Sequence, residues 1–101
     1  MIYHIATETD WAAAKKNGFY APAAFTREGF IHACTMPQME GVLQRHFQNV
    51  KNLLVLHLDE RRLTAPHAYV FVPVVNDEFP HIFGNINLDA VTEVTILKDE
   101  A

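Results

Sequence analysis

Gly29-Phe30-Ile31-His32-Ala33-Cys34 runs straight into Thr35-Met36-Pro37-Gln38. The first six residues, apolar apart from one imidazole, read as a strand. The next four read as a helix start. Thr35 caps it, Gln38 three residues on completes a capping box, and Pro37 sits in the first turn, where no amide donor is needed. The same handover from strand to capped helix occurs upstream. Ile2-Tyr3-His4-Ile5-Ala6 leads to Thr7, with Asp10 three residues on, and then to Trp11-Ala12-Ala13-Ala14-Lys15-Lys16. These are good helix formers, and both lysines lie at the negative end of the helix dipole. Asn17-Gly18 closes the helix, Gly18 suiting a left-handed C′ position.

Residues 19–28, around Pro22, read as an irregular segment with Tyr20 in it. The second helix is predicted to run from 36 to about 49. Met39, Val42, Leu43, Phe47 and Val50 make an apolar stripe at helical spacing, expected to meet the sheet through Met39, Leu43 and Phe47. Leu53-Leu54-Val55-Leu56-His57-Leu58 is apolar enough to be a central, buried strand. Asp59-Glu60-Arg61-Arg62 turns the chain. Further strands are predicted over about 67–73, 81–83 and 91–97, with a loop at Asn76-Asp77, a turn at residues 84–87 and a helical turn at 88–90. The order β-α-β-α-β-β-β-β puts both helices in the N-terminal half. The predicted class is therefore α+β, two N-terminal helices packed on a mixed or antiparallel sheet.

The chain has 101 residues, 50% hydrophobic and 20% charged. That predicts one domain over residues 1–101 with a real core, not a disordered chain. The net charge is -4 and the eight basic residues are scattered. A duplex nucleic-acid partner is not expected, because phosphate neutralisation needs a basic face. A small basic patch for a phosphate-bearing ligand stays open. Cys34 is the single cysteine, which excludes an intramolecular disulfide and suits a reducing compartment. No leader peptide and no run of ~20 apolar residues is evident. The expectation is a soluble cytoplasmic protein with no membrane association. Asp59-Glu60 and Asp99-Glu100 read as solvated ends.

Three histidines carry the functional reading. His4 shares a strand face with Ile2 and Ala6, His32 with Phe30 and Cys34, and His81 with Phe79 and Phe83. An imidazole in such a setting either finds a partner in the sheet or points into a cleft, since burying it unpaired costs roughly 1–3 kcal/mol. Three of them point to one shared pocket. Neutral imidazole donates and accepts at once, which suits the hydroxyls or phosphates of a nucleotide-like ligand. A three-histidine metal site is the alternative, but no metal-ligand spacing supports it and no metal is expected. Cys34 before a helix start is a candidate nucleophile, with a buried structural thiol as the commoner role. Thr35 is a cap and a ligand-contact candidate. Gly84 marks a turn or a close backbone approach, and Tyr20 a pocket wall. His46 and His67 read as solvent-facing, His57 as ambiguous. No Walker loop, dinucleotide glycine fingerprint, nucleophile elbow or paired zinc cysteines are present.

Taken together, Ile2-Tyr3-His4-Ile5, Trp11 opening an alanine-rich helix, Glu28-Gly29-Phe30-Ile31-His32-Ala33-Cys34-Thr35, and Phe79-Pro80-His81-Ile82-Phe83-Gly84 leading to Asn87-Leu88-Asp89-Ala90-Val91 resemble the bacterial domain of unknown function 952 family. The resemblance implies a compact split-sheet architecture like that of the ADP-ribosyltransferase-like group. There NAD lies in a cleft between two sheets, a first-strand His or Arg contacts the ribose, a motif on the next strand lines the nicotinamide side, and a late acidic residue completes catalysis. His4 matches the first element, His32 to Thr35 the second, and His81 the third motif. The family often has an acidic residue about ten positions before Phe-Pro-His. Here Tyr69-Val70-Phe71-Val72-Pro73 holds none.

These readings converge on a histidine-lined cleft. His4, His32 and His81 are the catalytic candidates, and Tyr20, Thr35 and Gly84 the ligand contacts. The expected ligand is a small molecule of nucleotide type, with NAD as the candidate cofactor, and the activity, if there is one, is transferase-like. A non-catalytic binding module and a metal-dependent hydrolase are the competing readings.

Overall fold

The computed structural model describes residues 1–97. The expected solvated end at Asp99-Glu100 lies outside the described residues. The chain runs β1 (Ile2–Thr7), α1 (Glu8–Asn17), β2 (Phe19–Tyr20), α2 (Ala23–Glu28), β3 (Ile31–His32), a 3-10 turn (Met36–Gln38) leading into α3 (Met39–His46), then β4 (Leu53–Leu58), β5 (His67–Val72), β6 (Asp77–Ile82), β7 (Ile86–Asn87) and β8 (Val91–Ile96). Short 3-10 turns at Glu60–Arg62 and Leu88–Ala90 link the later strands. The class is α+β, and every strand pair among the described residues is antiparallel.

The strands form a sheet β1-β4-β8, a sheet β3-β6-β5 and a short pair β2-β7. β4 lies between β1 and β8, which is why its run of leucine and valine is buried almost throughout. The core gathers Ile2, Tyr20, Ile31, Leu56, Leu58, Ile82 and Ile86, with Trp11 partly buried against it. Thr7 caps α1, its Oγ1 accepting the Asp10 amide at 3.1 Å, and Gly18 ends it with φ +88°. Both helix signals act locally and both appear as expected.

The segment 19–28 is not irregular. It holds β2 and the short helix α2, which starts after Pro22 and ends at Gly29 with φ +81°. Two residues of strand and six of helix are too short to show a period, so alternation and amphipathicity had nothing to register. There are thus three α-helices among the described residues where two were expected.

The helix expected over 36–49 is shorter and sits differently. It opens as a 3-10 turn and α3 stops at His46, with Asn49 in the left-handed region at φ +65°. Met39, Val42, Leu43 and Phe47 are half-buried and Val50 is exposed. The stripe is real, but α3 flanks a cleft and does not lie flat on the sheet. β3 is likewise cut to two paired residues. β6 begins earlier than expected, at Asp77, because the chain reverses at residues 73–76 with Asn76 at φ +53°.

Candidate functional site

β1 meets the β3-β6-β5 sheet at one isolated bridge. Tyr3 and Cys34 exchange both backbone hydrogen bonds at 2.8 Å. Beyond that pair the two strands part. In an unbroken antiparallel ladder the next bonded pair would be Ile5 with His32. Instead the His4 ring reaches across, and its Nδ1–H donates to the His32 carbonyl oxygen. A side chain thus fills the first place in the ladder that the splayed backbones leave. The gap opens into a cleft of about 710 Å3, within the range that small-molecule sites occupy.

His4 is 8% exposed and both of its ring nitrogens are engaged. Because Nδ1 donates to a carbonyl, Nε2 is the acceptor, and it lies 2.7 Å from the Tyr20 hydroxyl, which donates to it. The two rings meet edge to face at 5.0 Å. Burial lowers the His4 pKa from 6.5 to about 4, outweighing the hydrogen bond to the His32 carbonyl, so the ring is neutral at pH 7. Burial, and then the Asp10 carboxylate, push the Tyr20 phenol up. The His4–Tyr20 pair is a neutral, closed unit in the lining of the cleft.

His32 is different. Its side chain is 61% exposed, and Nε2 is paired with Glu28 Oε2. Glu28 closes α2, and the left-handed Gly29 turns the chain so that β3 returns past it. The carboxylate engages Nε2, and Nδ1 has no hydrogen-bond partner among the described residues. A base held by a carboxylate is the usual arrangement of an acid–base histidine.

His81 is the cross-strand neighbour of His32, Cα opposite Cα, with ring centroids 5.9 Å apart. It stacks flat on Phe30 at 3.9 Å and 5° between planes. Burial, and then the neighbouring His32, lower its pKa. His4, His32 and His81 therefore line the same cleft, together with Tyr20, Asp10 and Glu28. His32 and His81 are neighbours on the paired strands β3 and β6 and His4 reaches the cleft from β1; among the described residues no three His, Cys, Asp or Glu side chains gather closely enough to hold a metal ion.

Other expected residues fall elsewhere. Thr35 spends its groups on the capping box, its amide donating to Gln38 Oε1 at 2.9 Å, and does not line the cleft. Gly84 packs against Ala65, where an added Cβ would come within 2.8 Å of the alanine Cβ, and it too lies outside the cleft. Both are explained by local packing, the role that residue type alone could not separate from ligand contact. Cys34 is buried, and burial pushes its thiol up to about 11, so it is a protonated structural thiol. His67 pairs with Glu60 and His57 with Thr95, away from the cleft. His46 is exposed as expected, yet it stands at the cleft with Arg45.

Sequence reasoning missed two carboxylates. Asp10 reads in the sequence only as a capping partner, yet it also faces the cleft. Glu28 is visible beside Gly29 and four residues before His32, but its role depends on a helix too short to be seen. The apolar wall was missed as well. Phe25, Phe30, Val42, Phe47, Val75 and Phe79 line it, drawn from α2, the link from α2 to β3, α3 and the residue that ends it, and the β5–β6 hairpin.

The comparisons with known proteins agree with this architecture. The crystal structure of protein CC0527 from Caulobacter crescentus matches with a TM-score of 0.89 at 26% identity, covering 99% of this chain and 88% of that one. The solution structure of the same protein matches with a TM-score of 0.74 at 25% identity, covering 99% and 86%. No curated protein matches. The family model described as a protein of unknown function (DUF952) matches residues 5–94. With that model spanning nearly the whole chain, this protein belongs to the DUF952 family.

Proposed function

We propose that this protein binds a small organic ligand of nucleotide type in the histidine cleft, with NAD or a related ribose-phosphate compound as the first candidate, and acts on it by group transfer. The observation that carries the reading is the meeting of His32–Glu28, His81 and the neutral His4–Tyr20 pair on one open, largely apolar cleft of about 710 Å3. The cleft opens where strands of two sheets part, and a cleft between two sheets is what the family resemblance implies for an NAD site.

The charges favour one class of chemistry. Glu28 and Asp10 bring carboxylates to the cleft wall, and Arg45 and His46 supply the basic groups. Carboxylates stabilise positive charge developing on a ribosyl carbon, and a carboxylate-held imidazole moves a proton to or from the group exchanged. On this reading Glu28 serves in place of the acidic residue missing from residues 69–73.

The metal-dependent hydrolase fits less well. His4 has both nitrogens committed to protein partners, so it binds a metal only by giving one up. Binding without turnover is the second reading, favoured by the buried, protonated state of the Cys34 thiol, which removes the one obvious nucleophile.

The test is a thermal-shift and calorimetric screen with NAD, ADP-ribose and divalent metals, because a ligand that binds only the native state raises its stability. NAD is expected to bind wild type and to bind His32→Ala more weakly. Cleavage of the ribosyl–nicotinamide bond, with nicotinamide released and water taking its place on the ribosyl carbon, is expected to be lost in Glu28→Gln and separates turnover from binding alone. Absence of binding by NAD and ADP-ribose refutes the nucleotide reading.

A further inference from the structure

The resemblance assigns ribose contact to the first-strand histidine. The geometry gives that histidine no free nitrogen. His4 donates through Nδ1 to the His32 carbonyl and accepts through Nε2 from Tyr20. It supports the cleft and is not available to a ligand unless a protein bond breaks.

His81 is buried to the same degree, 8% exposed, and is in the opposite condition. Its contacts are ring contacts with Phe30, His32 and Phe83. Neither of its nitrogens has a hydrogen-bond partner among the described residues. Yet no fully sealed, unpartnered side-chain nitrogen or oxygen occurs among them either. The two facts are reconciled because His81 lines the cleft and its free polar edge reaches the opening there. Both nitrogens are therefore within reach of whatever fills the cleft, water or a ligand, with no protein bond to break first.

We infer that His81, not His4, is the polar anchor of the cleft, and that it binds a hydroxyl of an uncharged, sugar-like group, with His32 beside it as the second contact. This anchor rests on the proposed ligand site and says which part of the ligand that site holds. A neutral imidazole presents one donor and one acceptor, and a hydroxyl also does both, so the two match bond for bond. A phosphate is acceptor-rich and prefers cations or several N–H donors. His81 stands among the rings of Phe30, Phe83 and His32, the last held by Glu28, and no cation is among its ring contacts in the described residues. The basic groups of the cleft, Arg45 and His46, are on α3. The inferred ligand therefore lies with its hydroxyl-bearing part at the β3–β6 wall and any anionic part toward α3. Vicinal hydroxyls suit the pair of adjacent imidazoles, whose ring centroids are 5.9 Å apart.

The sign of the pH dependence separates a hydroxyl from a phosphate. The charged and titratable groups facing His81 are His32 on β3 and Glu28 on α2. When His81 takes up a proton, below its ordinary value of 6.5, it loses its acceptor nitrogen. Binding of an uncharged hydroxyl compound then weakens, whereas binding of phosphate strengthens.

The experiment uses proton–nitrogen correlation spectra of the imidazole rings, titrated separately with D-ribose, inorganic phosphate and NAD. The expected result is a shift of the His81 ring nitrogens with D-ribose at pH 7, fading as the pH falls, and none with phosphate. His81→Phe keeps the stack on Phe30 and removes both nitrogens. It is expected to weaken ribose binding about tenfold, the worth of one or two hydrogen bonds, while His67→Ala leaves it unchanged. If His81→Phe fails to fold, the wild-type nitrogen shifts decide alone. A phosphate-driven shift, or no His81 shift with D-ribose, overturns the assignment. NAD binding without a His81 shift overturns it too, but leaves the nucleotide reading standing. A ribose shift with no binding of either NAD or ADP-ribose supports the anchor and refutes the nucleotide reading.

Discussion

Tyr20→Phe isolates the hydrogen bond in the lining of the cleft. The Tyr20 ring is 1% exposed, and its hydroxyl donates to His4 Nε2 at 2.7 Å. Phenylalanine keeps the ring and its packing, so no appreciable cavity term enters. What is lost is the donor, and the His4 nitrogen is left without its protein partner. A buried acceptor deprived of its partner costs roughly 1–3 kcal/mol. His4 retains 8% exposure onto the cleft, so water replaces part of the bond and the lower half of that range, about 1–2 kcal/mol, is expected. For a domain of this size that corresponds to a fall in Tm of roughly 5–15 °C. Urea denaturation at pH 7 measures the free energy, and the midpoint is expected to fall at unchanged slope. Imidazole nitrogen spectra of wild type are expected to show His4 as the Nδ1–H tautomer. A variant as stable as wild type, or a wild-type ring protonated on Nε2 alone, would overturn this account of the pair.

The same geometry sets further outcomes. The His4 pKa is about 4 in the folded chain against 6.5 as its ordinary value, so the unfolded chain takes up a proton that the folded one refuses. The stability His4 contributes is present above about pH 6.5 and is lost as the pH falls toward 4, by about 3 kcal/mol in all; His81 adds to the loss with the same sign. Urea titrations across that window are expected to show the slope in wild type and a shallower one in His4→Phe. Leu56→Ala, at a fully buried central position, is expected to cost roughly 2–5 kcal/mol. Leu43→Ala on half-buried α3 is expected to cost about 1 kcal/mol, and equal losses in denaturation would place α3 in the core. Gly29→Ala meets no atom within 4 Å but holds φ +81°, so it is expected to cost roughly 1–2 kcal/mol and, in chemical-shift mapping, to disturb His32 through the turn it distorts.

Features whose causes are local could be read from the chain alone. Thr7 and Gly18 bracket α1, Thr35 and Gln38 close a capping box, and the leucine run at 53–58 is a buried central strand, because capping groups and periodicity act within a few residues. The α+β class followed from the order of those signals. The family was legible too, since its motifs are spelled out along the chain. What stayed undecided at that level depends on contacts between distant segments. α2 is too short to carry a period, and α3 shows the stripe of a core helix while standing at a cleft. Above all, His4 and His81 look alike as histidines in apolar strands and are equally buried. One has both nitrogens filled by Tyr20 and by the His32 backbone; the other has neither filled among the described residues. That difference arises where β1 and β3 part after the Tyr3–Cys34 bridge, and a hydrogen-bond partner supplied across such a gap is fixed by tertiary geometry, not by neighbours in sequence.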